Sequence, residues 1–144
     1  MKKIMKRIFA LTAAIAICSC FLCASAVVDS SRYLNSYAVT CTARSTARVI
    51  ITVEVDGLGS MDEIGATSIT VYRSADGVEF EPVRTYNYED YPRMMGSGAH
   101  YYEDVITYYG IPGYYYCVYA EVYAADETGS DSRYVTSNVV QTFS

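Results

Sequence analysis

The sequence of 144 residues contains no tryptophan, three prolines and one histidine, His100. The scarcity of histidine excludes most hydrolytic sites, because a Ser/His/Asp or Cys/His set needs an imidazole to carry the proton. Zinc sites of Cys and His ligands lack partners for the same reason, and no phosphate-binding G-x-x-x-x-G-K-[ST] loop occurs. Carboxylates are abundant, so counting alone does not exclude a two-carboxylate glycosidase, but a solvated acidic surface is the simpler interpretation. The sequence therefore predicts a protein that is not an enzyme and needs no cofactor.

Lysine does not occur after residue 6, so the amino terminus differs sharply from the remainder. An uncharged apolar stretch follows the basic residues and ends at Ala24-Ser25-Ala26, which is the pattern of a secretory signal peptide cleaved after Ala26. The alternative is an uncleaved membrane anchor, since no charge occurs between Arg7 and Asp29. We expect residues 1–26 to be a signal peptide and the protein to be secreted, or else anchored outside the cell. The basic residues of this segment are Lys2, Lys3, Lys6 and Arg7.

Positive charge is scarce in residues 27–144. All sixteen acidic residues lie there with only seven of the eleven basic ones, so the net charge is 7 − 16 = −9. A surface with this balance repels nucleic acid and anionic lipid, which excludes both as partners.

Three of the five cysteines belong to the predicted signal peptide, which leaves Cys41 and Cys117. Two cysteines in an exported chain predict one disulfide, worth on the order of 4 kcal/mol in the chain-entropy estimate. Strand alternation nevertheless places the Cys117 side chain outward, so a bulge, a bridge along a sheet edge, or two free thiols are the alternatives.

No sustained helical period occurs after residue 33, whereas short runs of β-branched residues and tyrosine alternate with turn residues. This pattern is typical of an all-β domain. We expect one domain, residues 27–144, folded as a seven-stranded antiparallel sandwich of the immunoglobulin-like or fibronectin type III-like kind. The predicted strands are 34–42, 47–55, 67–74, 78–86, 100–108, 114–124 and 134–143, with acidic or polar loops at 56–66 and 87–98.

Several segments resemble known families. ITVYRS followed by Asp76-Gly77 resembles the third and fourth strands of fibronectin type III domains, and PGYYY resembles their turn, which implies that Tyr116 forms a tyrosine corner. The chain departs from that family in lacking tryptophan and in having Gly110 where a leucine is expected. The strings GSMDEIGATSI, YPRMMGSG and DSRYVTSN resemble an uncharacterised family of small exported immunoglobulin-like domains of gut-dwelling Gram-positive bacteria. That resemblance implies a secreted sandwich and supplies no functional residues.

Alternation along residues 114–124 divides the tyrosines between two faces. Tyr116, Val118 and Ala120 belong to an uncharged set that we expect to face the core, whereas the other set contains Glu121 and faces outward. If the third and sixth strands are neighbours, four tyrosines form an exposed stripe that can stack on sugars or contact a protein. Tyrosine is also common in strands without any ligand. The stripe consists of Tyr72, Tyr115, Tyr119 and Tyr123.

Two acidic loops are minor candidates for calcium, although neither has the D-x-[DN]-x-[DN]-G spacing. They contain Asp56, Asp62 and Glu63, and Asp126, Glu127 and Asp131. Taken together, the sequence predicts an exported, non-catalytic β-sandwich module that binds an extracellular protein or surface, with a carbohydrate-binding module as the alternative.

Overall fold

The computed structural model describes residues 31–143, and the predicted signal peptide lies outside this range. The described chain forms a sandwich of two antiparallel β-sheets, which confirms the predicted fold class. Among the described residues, no helix has the length and apolarity needed to cross a bilayer. The strands are β1 (Leu34–Arg44), β2 (Arg48–Met61), β3 (Glu63–Ser74), β4 (Glu81–Asn87), β5 (Met95–Gly96), β6 (Ala99–Tyr109), β7 (Tyr115–Asp126), β8 (Gly129–Thr136) and β9 (Val140–Gln141).

Each sheet has its longest strands in the middle. The first sheet has the order β1-β2-β6, and the second has the order β4-β3-β7-β8, with the two-residue strands β5 and β9 added to β3 and β7. Seven longer strands divided three and four is the arrangement of immunoglobulin-like sandwiches. The second sheet therefore has β3 and β7 side by side, as the tyrosine stripe requires.

The core lies between the inner faces of the two sheets and follows the period of two along each strand. On β2 the residues Val49, Ile51, Val53 and Val55 are completely buried. On β7 the inner set comprises Tyr116, Val118, Ala120, Val122 and Ala124, all of them fully buried, as the alternation predicted. The other side chains of β7 consequently belong to the outer face of the four-stranded sheet.

The predicted loop at 56–66 is wrong, because β2 continues to Met61 and β3 begins at Glu63. Met61 and Ile64 are buried, and the backbone N–H of Asp62 donates to the carbonyl of Ala125 at 2.8 Å. Burial and pairing with distant strands thus hold this acidic, glycine-containing segment extended, and neither is visible in its local composition.

The predicted last strand, 134–143, is also wrong in its bounds. Strand β8 begins at Gly129 and ends at Thr136, and β9 follows only at Val140. The interruption lies where Asn138 bonds to the first sheet: its side chain accepts from the N–H of Cys41 and donates to the carbonyl of Cys41, each at 2.9 Å. Asn138 thereby continues the hydrogen bonding of β1 across the gap between the sheets.

Candidate interaction face

The four tyrosines of the predicted stripe lie on the outer face of the β4-β3-β7-β8 sheet. Tyr115, Tyr119 and Tyr123 occupy every fourth position of β7, and Tyr72 on β3 is directly opposite Cys117. Tyr72 therefore occupies a row between Tyr115 and Tyr119, as neighbouring antiparallel strands place it. The strand pairing brings these residues onto one face, although Glu121 separates Tyr119 from Tyr123.

A fifth tyrosine, which the sequence did not single out, completes this face. Tyr134 on β8 is directly opposite Glu121 and is 59% exposed. Its ring stacks on that of Tyr119, with centroids 5.3 Å apart and planes 3° from parallel. Such diagonal contacts between neighbouring strands stabilise a sheet. The alternation of Ser132, Tyr134 and Thr136 could have identified it once β8 was known to pair with β7.

Glu121 joins the aromatic pair to a polar network. Its carboxylate accepts a hydrogen bond from the Thr67 hydroxyl at 2.8 Å. The charge of the Glu121 carboxylate, and a hydrogen bond between this carboxylate and Tyr134, raise the pKa of the Tyr134 hydroxyl. We define the aromatic face as Tyr119, Tyr134, Glu121 and Tyr123.

Tyr115 differs from the rest of the stripe because it lies against a hairpin. Carbon atoms of its ring are 3.4 Å from the position that a Cβ on Gly77 would occupy, in the turn between β3 and β4. Gly77 has φ of +77°, which glycine adopts at little cost. Packing on this turn gives Tyr115 a structural role, so the aromatic face is centred further along β7.

The disulfide predicted between Cys41 and Cys117 is not formed: both thiols are free. Cys41 faces the interior, and its sulfur lies 3.2 Å from the Ser137 hydroxyl oxygen. Cys117 belongs to the opposite side of the second sheet, in register with Tyr72. The two side chains therefore point to different sides of β7, which explains why no bridge joins them.

Cys117 is nevertheless not exposed, contrary to what alternation alone suggested. It is 1% exposed, because its neighbours on the outer face include the large rings of Tyr72, Tyr115 and Tyr119. Burial raises the pKa of Cys117 to about 12, with a smaller contribution from the charge of Cys41. Burial also raises the pKa of Cys41 to about 11, against a lowering by the Ser137 hydrogen bond. Both groups are protonated, poorly nucleophilic thiols at neutral pH.

Tyr116 anchors the turn that leads into β7. Its ring is fully buried, and the backbone N–H of Ile111 donates to its hydroxyl oxygen at 2.6 Å. A tyrosine hydroxyl bonded to backbone a few residues upstream is the geometry of a tyrosine corner. This bond holds the turn that precedes β7, the strand on which Tyr119, Glu121 and Tyr123 lie.

The acidic residues considered for calcium do not converge in the described part of the chain. Residues 31–143 contain no group of three or more His, Cys, Asp or Glu side chains arranged to hold a metal ion. Asp56 lies on β2 and accepts a hydrogen bond from Asn35, whereas Asp126 caps a turn by accepting from the Thr128 N–H and hydroxyl. The roles that the structure gives to these two carboxylates are local.

Comparison with known proteins adds no family assignment. No protein-family model matches the sequence, and no curated protein matches it either.

Proposed function

We propose that this chain is an exported, non-catalytic β-sandwich module that binds a protein partner through the aromatic face. The observation that carries the proposal is the exposed pair of Tyr119 and Tyr134, stacked on each other beside the Glu121 carboxylate. Tyrosine is enriched in protein interfaces, because a large ring with one polar tip gives contact area at low cost in side-chain entropy.

A rigid support favours binding at this position. Tyr119 and Glu121 lie on β7, which is paired on both sides, and the Tyr119 ring is already positioned by its contact with Tyr134. A partner therefore finds two ordered rings and an oriented carboxylate, and little further ordering is needed on binding.

The same geometry favours a protein partner over the carbohydrate-binding alternative. A sugar ring stacks on the flat face of an aromatic ring, and the mutual stacking of Tyr119 and Tyr134 occupies one of the two faces of each ring. Their exposed edges, together with the Glu121 carboxylate, suit contact with a polypeptide. The absence of lysine and the net charge of −9 over residues 27–144 further favour a partner surface that carries positive charge.

The proposal includes export from the cell and membership of the family of small exported immunoglobulin-like domains. The signal-like residues 1–26 support secretion, and the resemblance to small exported immunoglobulin-like domains of gut Gram-positive bacteria supports a partner on a host or bacterial surface. The lack of catalysis rests on the composition, in which His100 is the only imidazole.

The test compares the wild type with Tyr119→Ser/Tyr134→Ser in binding to fractionated host mucus proteins, to bacterial envelope proteins and to a glycan array. The matched control is Tyr88→Ser, a tyrosine that is 39% exposed in the turn after β4 and lies outside the aromatic face. We expect a protein ligand whose Kd rises at least about tenfold in the double variant and is unchanged in the control. Binding to glycans alone, or protein binding that is indifferent to the double variant, would contradict the proposal.

A further inference from the structure

The outer face of the β1-β2-β6 sheet, on the opposite side of the sandwich from the aromatic face, has an ordered distribution of charge. Strand register places its side chains in five rows of three, each row containing one residue from each strand. From one end to the other the rows are Arg44-Arg48-Tyr109, Thr42-Ile50-Thr107, Thr40-Thr52-Val105, Ala38-Glu54-Glu103 and Ser36-Asp56-Tyr101.

Charges of one sign are directly opposite each other at both ends of this face. Arg44 is paired with Arg48 at one end, and Glu54 is paired with Glu103 at the other, where Asp56 adds a third carboxylate. Like charges directly opposite on neighbouring strands destabilise a sheet. Among residues 31–143, the ion pairs formed by arginine involve Arg73, Arg93 and Arg133, so these end rows are not neutralised within the described chain.

The two middle rows contain no charge, and their side chains are threonine, isoleucine and valine. Val105 is 45% exposed, and the tyrosines of the end rows, Tyr109 and Tyr101, are 73% and 46% exposed. The face therefore has a neutral centre between a basic end and an acidic end.

From this pattern we infer that the outer face of the β1-β2-β6 sheet binds a second copy of the same chain. A two-fold axis that runs across the strands, in the plane of contact, reverses the strand direction of the second copy. The arginine row of each copy then lies over the acidic rows of its partner, and the neutral rows meet in the centre. The face is self-complementary only in this orientation.

A cavity at the acidic end fits the same arrangement. It has a volume of about 130 Å³, and Glu54, Asp56 and Tyr101 are among the residues in its walls. Two carboxylates beside a tyrosine ring suit an arginine side chain, through charge-assisted hydrogen bonds and a cation–π contact. The two-fold arrangement delivers Arg44 and Arg48 of the second copy to this end.

The size of the face sets the strength of the association. The end rows are eight residue positions apart, or about 26 Å, and three strands give a face of roughly 400 Å² per copy. That is about half the area of a standard interface, and the net charge of −9 adds a general repulsion. We therefore expect a weak, concentration-dependent dimer that is strengthened at low salt, since its specific attraction comes from exposed charges.

Sedimentation velocity measures the association. The protein is expressed from the full-length sequence and purified without further trimming. The wild type should dimerise across roughly 10 µM to 1 mM, with a Kd that rises at least about tenfold between about 0.02 M and 0.5 M salt. The variants R44E/R48E, with two acidic ends, and E54R/E103R, with two basic ends, should each be monomeric. An equimolar mixture of these two variants should restore a dimer, because their faces are complementary.

The control is E89R/D90R, which makes the same change in net charge as E54R/E103R at exposed positions outside this face and should still dimerise. Thermal unfolding establishes that each variant is folded, and R44Q/R48Q and E54Q/E103Q provide milder neutralisation should a reversal prevent folding. A monomeric wild type over the whole range would overturn the inference and leave the face to another partner of mixed charge. Dimers that persist in both reversal variants, or a mixture that stays monomeric, would overturn it as well.

Because the aromatic face lies on the other sheet, this dimer does not depend on the proposed function. Tyr119→Ser/Tyr134→Ser should leave self-association unchanged, so failure of one proposal is distinguishable from failure of the other.

Discussion

At the scale of single residues, Gly110 shows how one atom decides a local structure. The residue precedes Ile111, whose N–H bonds to the Tyr116 hydroxyl, and its own N–H donates to the carbonyl of Ala47 at 2.7 Å. A Cβ added at Gly110 would overlap the ring and hydroxyl of Tyr116. Glycine here leaves room for the tyrosine of the corner, which gives a physical reason for the departure from the leucine that the fibronectin type III resemblance implied.

Gly110→Ala should therefore destabilise the protein by about 1–3 kcal/mol, the usual cost of forcing extra volume into a packed site. Denaturant unfolding measures the change in the free energy of unfolding. Gly59→Ala is the matched control, because no atom lies within 4 Å of a Cβ at that position, and the change there should stay within about 0.5 kcal/mol. Equal effects at the two glycines would show that Tyr116 does not restrict the turn.

At the scale of elements, the connection between β8 and β9 holds the two sheets together along one side. Asn138 makes two hydrogen bonds to the backbone of Cys41, and the Ser137 hydroxyl accepts from the N–H of Val118 at 2.9 Å. The consecutive residues Ser137 and Asn138 thus bond to strand β7 of the second sheet and to strand β1 of the first sheet. This connection should be one of the more stable parts of the sandwich edge.

Asn138→Ala should cost about 1–3 kcal/mol of unfolding free energy, because it leaves a backbone donor and acceptor of Cys41 without partners. Hydrogen exchange at the Cys41 amide should accelerate by the corresponding factor. Asn138→Asp keeps the acceptor for the Cys41 N–H but places a negative charge against the Cys41 carbonyl, so it should be no better than alanine. Asn35→Ala removes an exposed side-chain bond to Asp56 and serves as the control, with an expected change below about 0.5 kcal/mol.

The hairpin turn between β3 and β4 makes the stability of the fold depend on pH. The Asp76 carboxylate accepts hydrogen bonds from the backbone N–H groups of Val78 and Glu79 and from the Ser74 hydroxyl, which lower its pKa to about 2. Since the pKa is lower in the folded chain than in the unfolded one, this group stabilises the fold above about pH 4. The contribution is lost as the pH falls from about 4 towards 2.

Asp76→Asn should therefore be less stable than the wild type at neutral pH, and the difference should shrink as the pH falls through that window. Denaturant unfolding at a series of pH values gives the two curves. Glu89→Gln, which removes an exposed carboxylate in the next turn, is the control, and its free energy of unfolding at neutral pH should stay within about 0.5 kcal/mol of the wild type. A constant offset between Asp76→Asn and the wild type from pH 6 to about pH 2 would contradict this account of the turn.

The alternation of residues along the strands predicted correctly which side chains of β7 face the core and which face outward. The inner set of β7 and the common face of Tyr72, Tyr115, Tyr119 and Tyr123 follow from a period of two and from the pairing of two strands. The extension of β2 to Met61 and the break before β9 depend on bonds to Ala125 and Cys41, which are distant in sequence. Tyr134 was missed for the same reason, since its importance arises from the pairing of β8 with β7.

At the scale of the whole molecule, the sandwich separates two kinds of surface. The four-stranded sheet carries the aromatic face, and the three-stranded sheet carries a face with charges of opposite sign at its ends. A dimer formed through the second would present two aromatic faces pointing away from each other. Two linked sites can bind a repetitive surface more tightly than either site alone, because the second contact becomes intramolecular. This arrangement would suit the proposed role as an exported module that binds a partner on a surface.

The cysteines report on the state of the whole molecule, because three lie in residues 1–26 and the other two are buried in the sandwich. Burial keeps Cys41 and Cys117 protonated, so labelling with a thiol reagent at pH 8 should be slow in the native protein and limited by unfolding. If the chain is exported and cleaved after Ala26, as the sequence predicts, its first residue should be Val27 and it should yield two thiols per chain in denaturant without reductant. Five thiols would indicate an uncleaved amino terminus, and none would indicate that the two cysteines are bridged after export. With free cysteines, Cys117→Ser should reduce the number of thiols counted in denaturant from two to one. With a bridge, the wild type would show no thiol and Cys117→Ser would show one, that of Cys41.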